Sequence, residues 1–175
     1  PEGRGRGKPY RPHPTLTISP SRAAIELSLA ANFAEVWLAK EGHDGVVGIN
    51  MLEKIQTANA SAILGAMLGG VDYVIMGAGV PREIPRLLTD FAAGRAGRLT
   101  IDVAGATTVH RAELDPVKYL GADLPLLRRP KFLAIVSVHV LATYLNRDEA
   151  TRPDGFVVEG PRAGGHSAPP RGRMT

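Results

Sequence analysis

Cysteine is absent from this chain of 175 residues, and its absence excludes several kinds of site. Disulfide bonds, zinc–thiolate sites, iron–sulfur clusters and thiol nucleophiles all require a cysteine sulfur. The five histidines are scattered and form no HxH or HExxH pair. Because metal-binding histidines usually occur at such spacings, we expect no bound metal.

Long hydrophobic runs are also missing. No segment approaches the roughly 18 consecutive apolar residues of a membrane span, and the start of the chain lacks the apolar segment of a signal peptide. We therefore expect a cytoplasmic protein with no membrane partner. An apolar content of 44% is enough for one domain with a hydrophobic core.

Basic charge is scarce in the body of the chain, although the formal net charge is +4. Outside residues 1–11 and 162–175 the chain has 14 basic and 16 acidic residues. Because a slightly acidic body repels polyanions, we expect no nucleic-acid partner. The alternative is that the arm GRGRGKPYR (residues 3–11) binds RNA or DNA, with Tyr10 stacking on a base.

The order of hydrophobic segments indicates an α/β protein. Residues 1–19 are rich in glycine, proline and arginine and are predicted to form an arm or loop. Short apolar runs predict strands at residues 45–50, 73–76, 99–103, 132–137 and 155–159. Helices are predicted at residues 20–41, 59–68, 82–93 and 138–148. Residues 104–130 are predicted to form an inserted loop with one helical turn at residues 116–120.

Several local predictions follow from the same patterns. Strands that are continuously apolar are typical of a parallel sheet buried on both faces. Ser19 is the expected N-terminal cap of the first helix, and Asn59 is a possible cap of the second. Trp37 lies on the apolar stripe of the first helix and is expected in the core.

Glycine-rich segments follow three of the predicted strands, and ligands of βα proteins bind at such positions. These segments are GINM (48–51), GAGVP (77–81) and GPRAGGH (160–166). Bare backbone allows a flat ligand to approach closely, so the three segments suggest a planar cofactor. The alternative for each glycine is that it only turns the chain. No phosphate-binding P-loop motif occurs, and Gly77-x-Gly79 lacks the third glycine of the dinucleotide motif.

Four segments resemble the nitronate monooxygenases and the related flavin-type enoyl-acyl carrier protein reductases. They are VEGPRAGGHSAPPRG (158–172), HDGVVGINMLEKIQ (43–56), VDYVIMGAGVPREIP (71–85) and FLAIVSVHVLA (132–142). The resemblance implies a TIM-type (β/α) barrel that binds FMN, with residues 20–175 as its central part. It also implies that Asn50, Gly77, Gly79, Gly164 and Gly165 line the flavin pocket.

The resemblance further implies that His166 faces a small-molecule substrate over the flavin ring. A histidine titrates near neutral pH, so His166 is suited to exchange a proton with a nitroalkane whose electrons pass to molecular oxygen. In an enoyl reductase, which is the alternative activity, the same imidazole would protonate or polarise the substrate. His139 is the second candidate, a contact from Gln56 is a weaker one, and Arg162 could pair with an anionic substrate.

The chain departs from the family in length. A complete barrel has eight βα units, and we count about five here. The site for the FMN phosphate is commonly built after strands seven and eight, so we expect the isolated chain to bind FMN poorly and to turn over little. We also expect its open sheet to pair with the missing barrel segments or with a second copy of the chain.

Overall fold

The computed structural model describes residues 7, 9, 12–160, 162 and 163. In chain order, the elements are α1 (Arg22–Ala39), β1 (Gly48–Leu52), α2 (Gln56–Leu68), β2 (Tyr73–Gly77), α3 (Ile84–Ala92), β3 (Gly97–Ile101), β4 (His110–Leu114), α4 (Pro116–Leu120), β5 (Lys131–Val136), α5 (His139–Leu145) and β6 (Gly155–Val158). Most of the predicted arm lies outside the described residues.

A parallel sheet of four strands, in the order β1-β2-β5-β6, forms the centre of the fold. Parallel neighbours need crossover connections, and helices lie in the connections between these strands. The predicted α/β class and four of the five predicted strands are therefore confirmed.

The prediction that residues 99–103 form a fifth parallel strand is wrong. β3 instead pairs antiparallel with β4 in a separate two-stranded sheet, with Leu99 opposite Ala112. Arg98 and Thr100 interrupt the apolar residues of β3, and such alternation suits a sheet with one exposed face. β4 lies inside the predicted loop 104–130, while the helical turn predicted there is present as α4.

Helix α1 is confirmed, but two predictions about its residues are wrong. Its N-cap is Ser21, whose Oγ accepts a hydrogen bond from the Ala24 N–H at 3.2 Å, and not Ser19. Trp37 is 52% exposed. It lies about 100° around the helix from buried Val36, outside the narrow stripe that packs against α2.

Helices α1 and α2 pack closely at a glycine. A Cβ added at Gly65 would lie 3.0 Å from the carbonyl carbon of Leu29, so only glycine fits this approach. Next to it, the buried Ser61 Oγ donates a hydrogen bond to Ser28 Oγ at 2.9 Å. This contact fixes α1 against the helix that follows β1.

Asn59 is not the N-terminal cap of α2, because the helix begins at Gln56 with Ile55 as its cap residue. Asn59 is buried inside the helix, and its Nδ2 donates to the backbone carbonyls of Leu52 and Glu53, each at 3.2 Å. It therefore holds the turn after β1 against the first turns of α2.

The two faces of the parallel sheet differ in burial. One face belongs to the main hydrophobic core through Ile49, Met51, Val74, Met76, Phe132, Ala134, Val136 and Phe156. On the other face Ile75, Leu133, Ile135 and Val157 are half-buried and Asn50 is exposed. Within the described residues, the predicted burial of both faces is thus wrong, since the second face stays partly open.

Two aspartates fix the amino-terminal edge of the sheet. Asp72 precedes β2 and accepts hydrogen bonds from Lys40 Nζ at 2.6 Å, from the Val47 N–H at 2.8 Å and from Arg128. Its pKa is lowered, first by Lys40 and then by the Val47 N–H. Asp154 precedes β6 and accepts from the Phe132 N–H at 2.8 Å. Structural contacts thus occupy this edge, and the opposite, carboxyl edge is the one at which βα proteins bind their ligands.

In the part of the chain described here, no helix is both long enough and apolar enough to cross a membrane.

Candidate functional site

The carboxyl ends of β1, β2, β5 and β6 meet at one edge of the parallel sheet. The turns that follow them are tied to neighbouring strands by backbone hydrogen bonds. The Glu53 N–H donates to the Gly77 carbonyl at 2.9 Å, and the Glu159 N–H donates to the Val136 carbonyl at 2.8 Å. These turns therefore have fixed positions at the edge where α/β proteins bind ligands.

Gly77 and Gly79 lie on either side of an unusual backbone conformation. Ala78 between them is buried and has a φ of 55°, a left-handed value that costs a residue with a Cβ roughly 1 kcal/mol. Gly77 has Ile135 beside it, 2.9 Å from where a Cβ would stand, and Gly79 has the Glu53 carboxyl carbon at 2.6 Å from the same position. Side chains of this chain thus occupy the space that the two glycines leave open.

Asn50 was expected in the segment that follows the first strand. It lies instead within β1. The strand ends at Leu52, two residues later than predicted, because it continues in register with β2 up to the pair of Leu52 and Gly77. Asn50 is opposite Ile75 on the partly open face, two pairs before that end. It is therefore on the same face as Gly77, close to the carboxyl edge.

The remaining predicted site residues, Gly164, Gly165 and His166, lie outside the described residues. β6, which precedes them in the chain, ends at Val158 on the carboxyl edge. His139, the second candidate, is the first residue of α5 and is exposed, and Arg162 is exposed in a turn.

A cavity of about 370 Å³ lies beside this edge. Its polar lining comprises Glu53, Gln56, Arg82, Glu83, Thr100 and Asp102, and Ile84 and Leu99 are among its apolar lining residues. Three carboxylates against one guanidinium make the cavity acidic. Within the described residues no group of acidic residues and histidines is arranged to hold a metal ion.

Gln56 connects two of these carboxylates. Its Nε2 donates to Glu53 Oε1 at 3.4 Å and to Asp102 Oδ2 at 3.3 Å, and its Oε1 accepts from the Asp102 N–H at 2.9 Å. The start of α2 is thereby joined to the residue that follows β3. In the sequence analysis Gln56 is only a weak candidate for a contact and Glu53 is not singled out, so this bridge was not predicted.

Glu83 joins the start of α3 to the hairpin formed by β3 and β4. Its Oε2 accepts the Thr100 N–H at 2.7 Å, and its Oε1 accepts the Thr100 hydroxyl at 3.0 Å. Glu83 and Asp102 were not singled out from the sequence. For Asp102 a usable signal was an acidic residue inside the apolar run predicted as a strand at residues 99–103, since a charge is costly to bury without a function or a partner.

The pKa of the Glu53 carboxyl is raised. Burial is the main cause, and the charges of Asp102 and Glu83 act in the same direction, while the hydrogen bond from Gln56 opposes them. A carboxyl shifted towards its neutral form, at the carboxyl edge of a parallel sheet and beside a cavity, is suited to donate or accept a proton.

The fold and this edge define an α/β protein with a parallel sheet and a candidate site where its strands end. No protein-family model, curated protein or solved structure matches the chain. The resemblance to the nitronate monooxygenases therefore stays a prediction from the sequence.

Proposed function

We propose that this chain forms part of the flavin site of an FMN-dependent oxidoreductase of the nitronate monooxygenase type, built on a TIM-type barrel. The observation that carries the proposal is that the turns after β1 and β2 meet at one edge, joined by the hydrogen bond from Glu53 to Gly77. Both turns belong to segments that resemble the family. β6, which precedes the glycine-rich segment GPRAGGH (160–166) in the chain, ends at the same edge.

The residues at this edge fit a flat aromatic ring. The last row of the partly open face is formed by Leu52, Gly77, Ile135 and Val157. This row is apolar, and the Ile135 side chain fills the space beside Gly77, so the row offers a flat apolar surface on which a planar ring could lie. Asn50, two residues before Leu52 on the same face, offers an amide that can donate to or accept from polar ring atoms. Asn50, Gly77 and Gly79, together with Gly164 and Gly165, are the residues proposed to hold FMN.

Bound FMN would supply electron transfer from the substrate to molecular oxygen. The protein would bind and orient the nitroalkane and take the proton from the carbon next to its nitro group. We assign proton exchange at the carbon next to the nitro group to His166, because an imidazole is both a competent acid and a competent base near pH 7. Glu53, packed on the Gly79 backbone, would keep the second glycine turn in position.

The test is oxygen consumption by the full-length protein that contains these residues, with the neutral nitroalkane 2-nitropropane and no nicotinamide cofactor. We expect turnover, and we expect His166→Ala to lower it by roughly 100-fold or more. His139→Ala is the matched control, because it removes an exposed imidazole from the start of α5. It should change the rate by less than about twofold.

Two results would contradict the proposal. One is full turnover of 2-nitropropane by His166→Ala. The other is an absence of nitroalkane oxidation together with nicotinamide-dependent reduction of an enoyl thioester, which would identify the enoyl reductase activity instead.

A further inference from the structure

A second depression, a groove of about 810 Å³, lies beside the acidic cavity. It runs between the start of α3, the outer face of the β3–β4 hairpin and the end of α5. Five arginines line it: Arg82, Arg86, Arg98, Arg111 and Arg147. Three separate parts of the fold thus bring guanidinium groups to one groove.

The hairpin places two of these arginines on the same face. Arg98 is opposite Glu113, and Arg111 is opposite Thr100, in the antiparallel register. Opposed residues and residues two apart share a face of a sheet, so Arg98 and Arg111 both point outward. The inward residues of the hairpin, including Leu99 and Leu114, are buried. The two arginines are therefore held by a packed hairpin.

The acidic residues of the groove do not neutralise it. Glu83, Asp90 and Asp148 are its acidic lining residues, three against five arginines. Glu83 accepts two hydrogen bonds from Thr100. Asp90 accepts a hydrogen bond at 2.7 Å from Arg95, which lies outside the groove. Asp148 accepts the Ala150 N–H at 2.9 Å. Arg86 lies 3.9 Å from Asp90 and Arg98 pairs with Glu113 at 3.0 Å, so within the described residues the excess positive charge of the groove lies on its other arginines.

Among the described residues, three of the five groove arginines form no ion pair: Arg82, which donates to Tyr144, and Arg111 and Arg147. The last two line the groove alone. Both are exposed and line the groove. A guanidinium presents a rigid set of N–H donors that matches the oxygens of a phosphate. A ligand with several anionic oxygens could engage both without displacing an internal ion pair.

The groove continues into the acidic cavity. Arg82, Glu83 and Tyr144 line both spaces, and Arg82 Nη1 donates to the Tyr144 hydroxyl at 3.0 Å between them. One ligand could therefore place an anionic group in the groove and an uncharged organic part in the cavity. The three carboxylates of the cavity would repel a second anionic group there.

We infer that the arginine groove binds the phosphate of a small phosphate ester, whose organic part extends towards the cavity. A phosphate monoester carries close to two negative charges and three terminal oxygens, so it can engage more than one arginine, whereas a carboxylate offers a single charge. The inference does not depend on the proposed flavin chemistry. The phosphate could belong to FMN or to a separate substrate, and the experiment distinguishes the two.

Calorimetric titration of the full-length protein with phenyl phosphate, inorganic phosphate and benzoate tests the inference. Phenyl phosphate should bind most tightly, because it alone combines two negative charges with an apolar group. Arg111→Ala and Arg147→Ala should each weaken phenyl phosphate binding by about tenfold, since each removes a charge-assisted hydrogen bond. Arg111→Lys should lose less, because it keeps the charge.

The matched control is Arg22→Ala, which removes one positive charge from α1, outside the groove. It should leave phenyl phosphate binding within about twofold of the parent. A titration with FMN and riboflavin identifies the source of the phosphate. If Arg111→Ala weakens FMN but not riboflavin, the groove holds the flavin's phosphate. If neither flavin is affected, the phosphate belongs to a separate ligand.

Three results would overturn the inference: no binding of phenyl phosphate at millimolar concentration, equal binding of benzoate and phenyl phosphate, or an Arg22→Ala effect as large as that of Arg111→Ala. Circular dichroism of each variant checks that it is folded. Because Arg111 and Arg147 are exposed and lie on different elements, loss of fold in both variants is not expected.

Discussion

The backbone of Gly79 packs directly against the side chain of Glu53, whose carboxyl carbon lies 2.6 Å from where a Cβ at residue 79 would stand. The turn after β2 and the turn after β1 therefore touch through a position that only glycine can occupy. Since the carboxyl of Glu53 also contacts Gln56, this packing links both turns to the acidic cavity. A side chain at residue 79 should therefore destabilise the folded protein.

Gly79→Ala should lower the free energy of unfolding by about 2 kcal/mol, because the added methyl group overlaps Glu53 and forces it to move. Urea denaturation measures the change. Gly160→Ala is the control, since no atom of the described residues lies within 4 Å of a Cβ there, and it should be close to neutral. Adding Glu53→Ala to Gly79→Ala should recover part of the loss. Strict additivity of the two substitutions would show that these residues do not touch.

Gly65→Ala should be more damaging, by about 3 kcal/mol, because the new methyl group meets the backbone of Leu29, which cannot rotate away. Alanine is normally about 1 kcal/mol better than glycine within a helix, so a substitution that followed helix propensity alone would stabilise the protein. Thermal or urea unfolding distinguishes the two effects, because steric overlap predicts a loss of stability and helix propensity predicts a gain. Leu29→Ala in the same chain should give no rescue, since the blocking atoms belong to the backbone.

Asp72→Asn should cost about 2 kcal/mol at pH 7, because it removes the charge that accepts hydrogen bonds from Lys40 and the Val47 N–H. The pKa of Asp72 is lowered in the folded state, so its contribution is complete above the unfolded pKa near ~3.9 and is lost as the pH falls towards the folded pKa. Unfolding curves of parent and variant at several pH values should therefore converge in acid. A difference that stays constant from pH 7 down to strong acid would refute this role.

Adjacent residues of β5 should respond very differently to truncation. Phe132 is fully buried in the core, and Leu133 is half-buried on the other face. Phe132→Ala should cost about 4 kcal/mol and Leu133→Ala about 1 kcal/mol, because only the first leaves a cavity in packed protein. Equal losses in urea denaturation would mean that both faces of the sheet are covered.

The parts of the fold that could be predicted from the sequence are those that local patterns of apolar residues determine. β2 and β5 were identified because their apolar runs are compact and bounded by turn residues. The pairing of β3 could not be inferred, since its partner β4 lies in a segment read as a loop. The exposure of Trp37 was missed because helical spacing does not indicate how wide the buried stripe is.

The candidate site was only partly accessible from the sequence. Glycines after strands are a local signal, so Gly77 and Gly79 could be selected, although the contacts of Ile135 and Glu53 with them could not. The bridge between Gln56 and Asp102 joins residues 46 positions apart. It depends on how the β3–β4 hairpin docks on α2, and no short-range pattern encodes that docking.

Anaerobic mixing of 2-nitropropane with the FMN-loaded full-length protein tests the central proposal most directly. The account predicts that the flavin absorbance bleaches without any nicotinamide, and that bleaching slows by roughly 100-fold in His166→Ala while His139→Ala behaves like the parent. Flavin that stays oxidised in the presence of the nitroalkane, or that bleaches equally fast without the His166 imidazole, would contradict it.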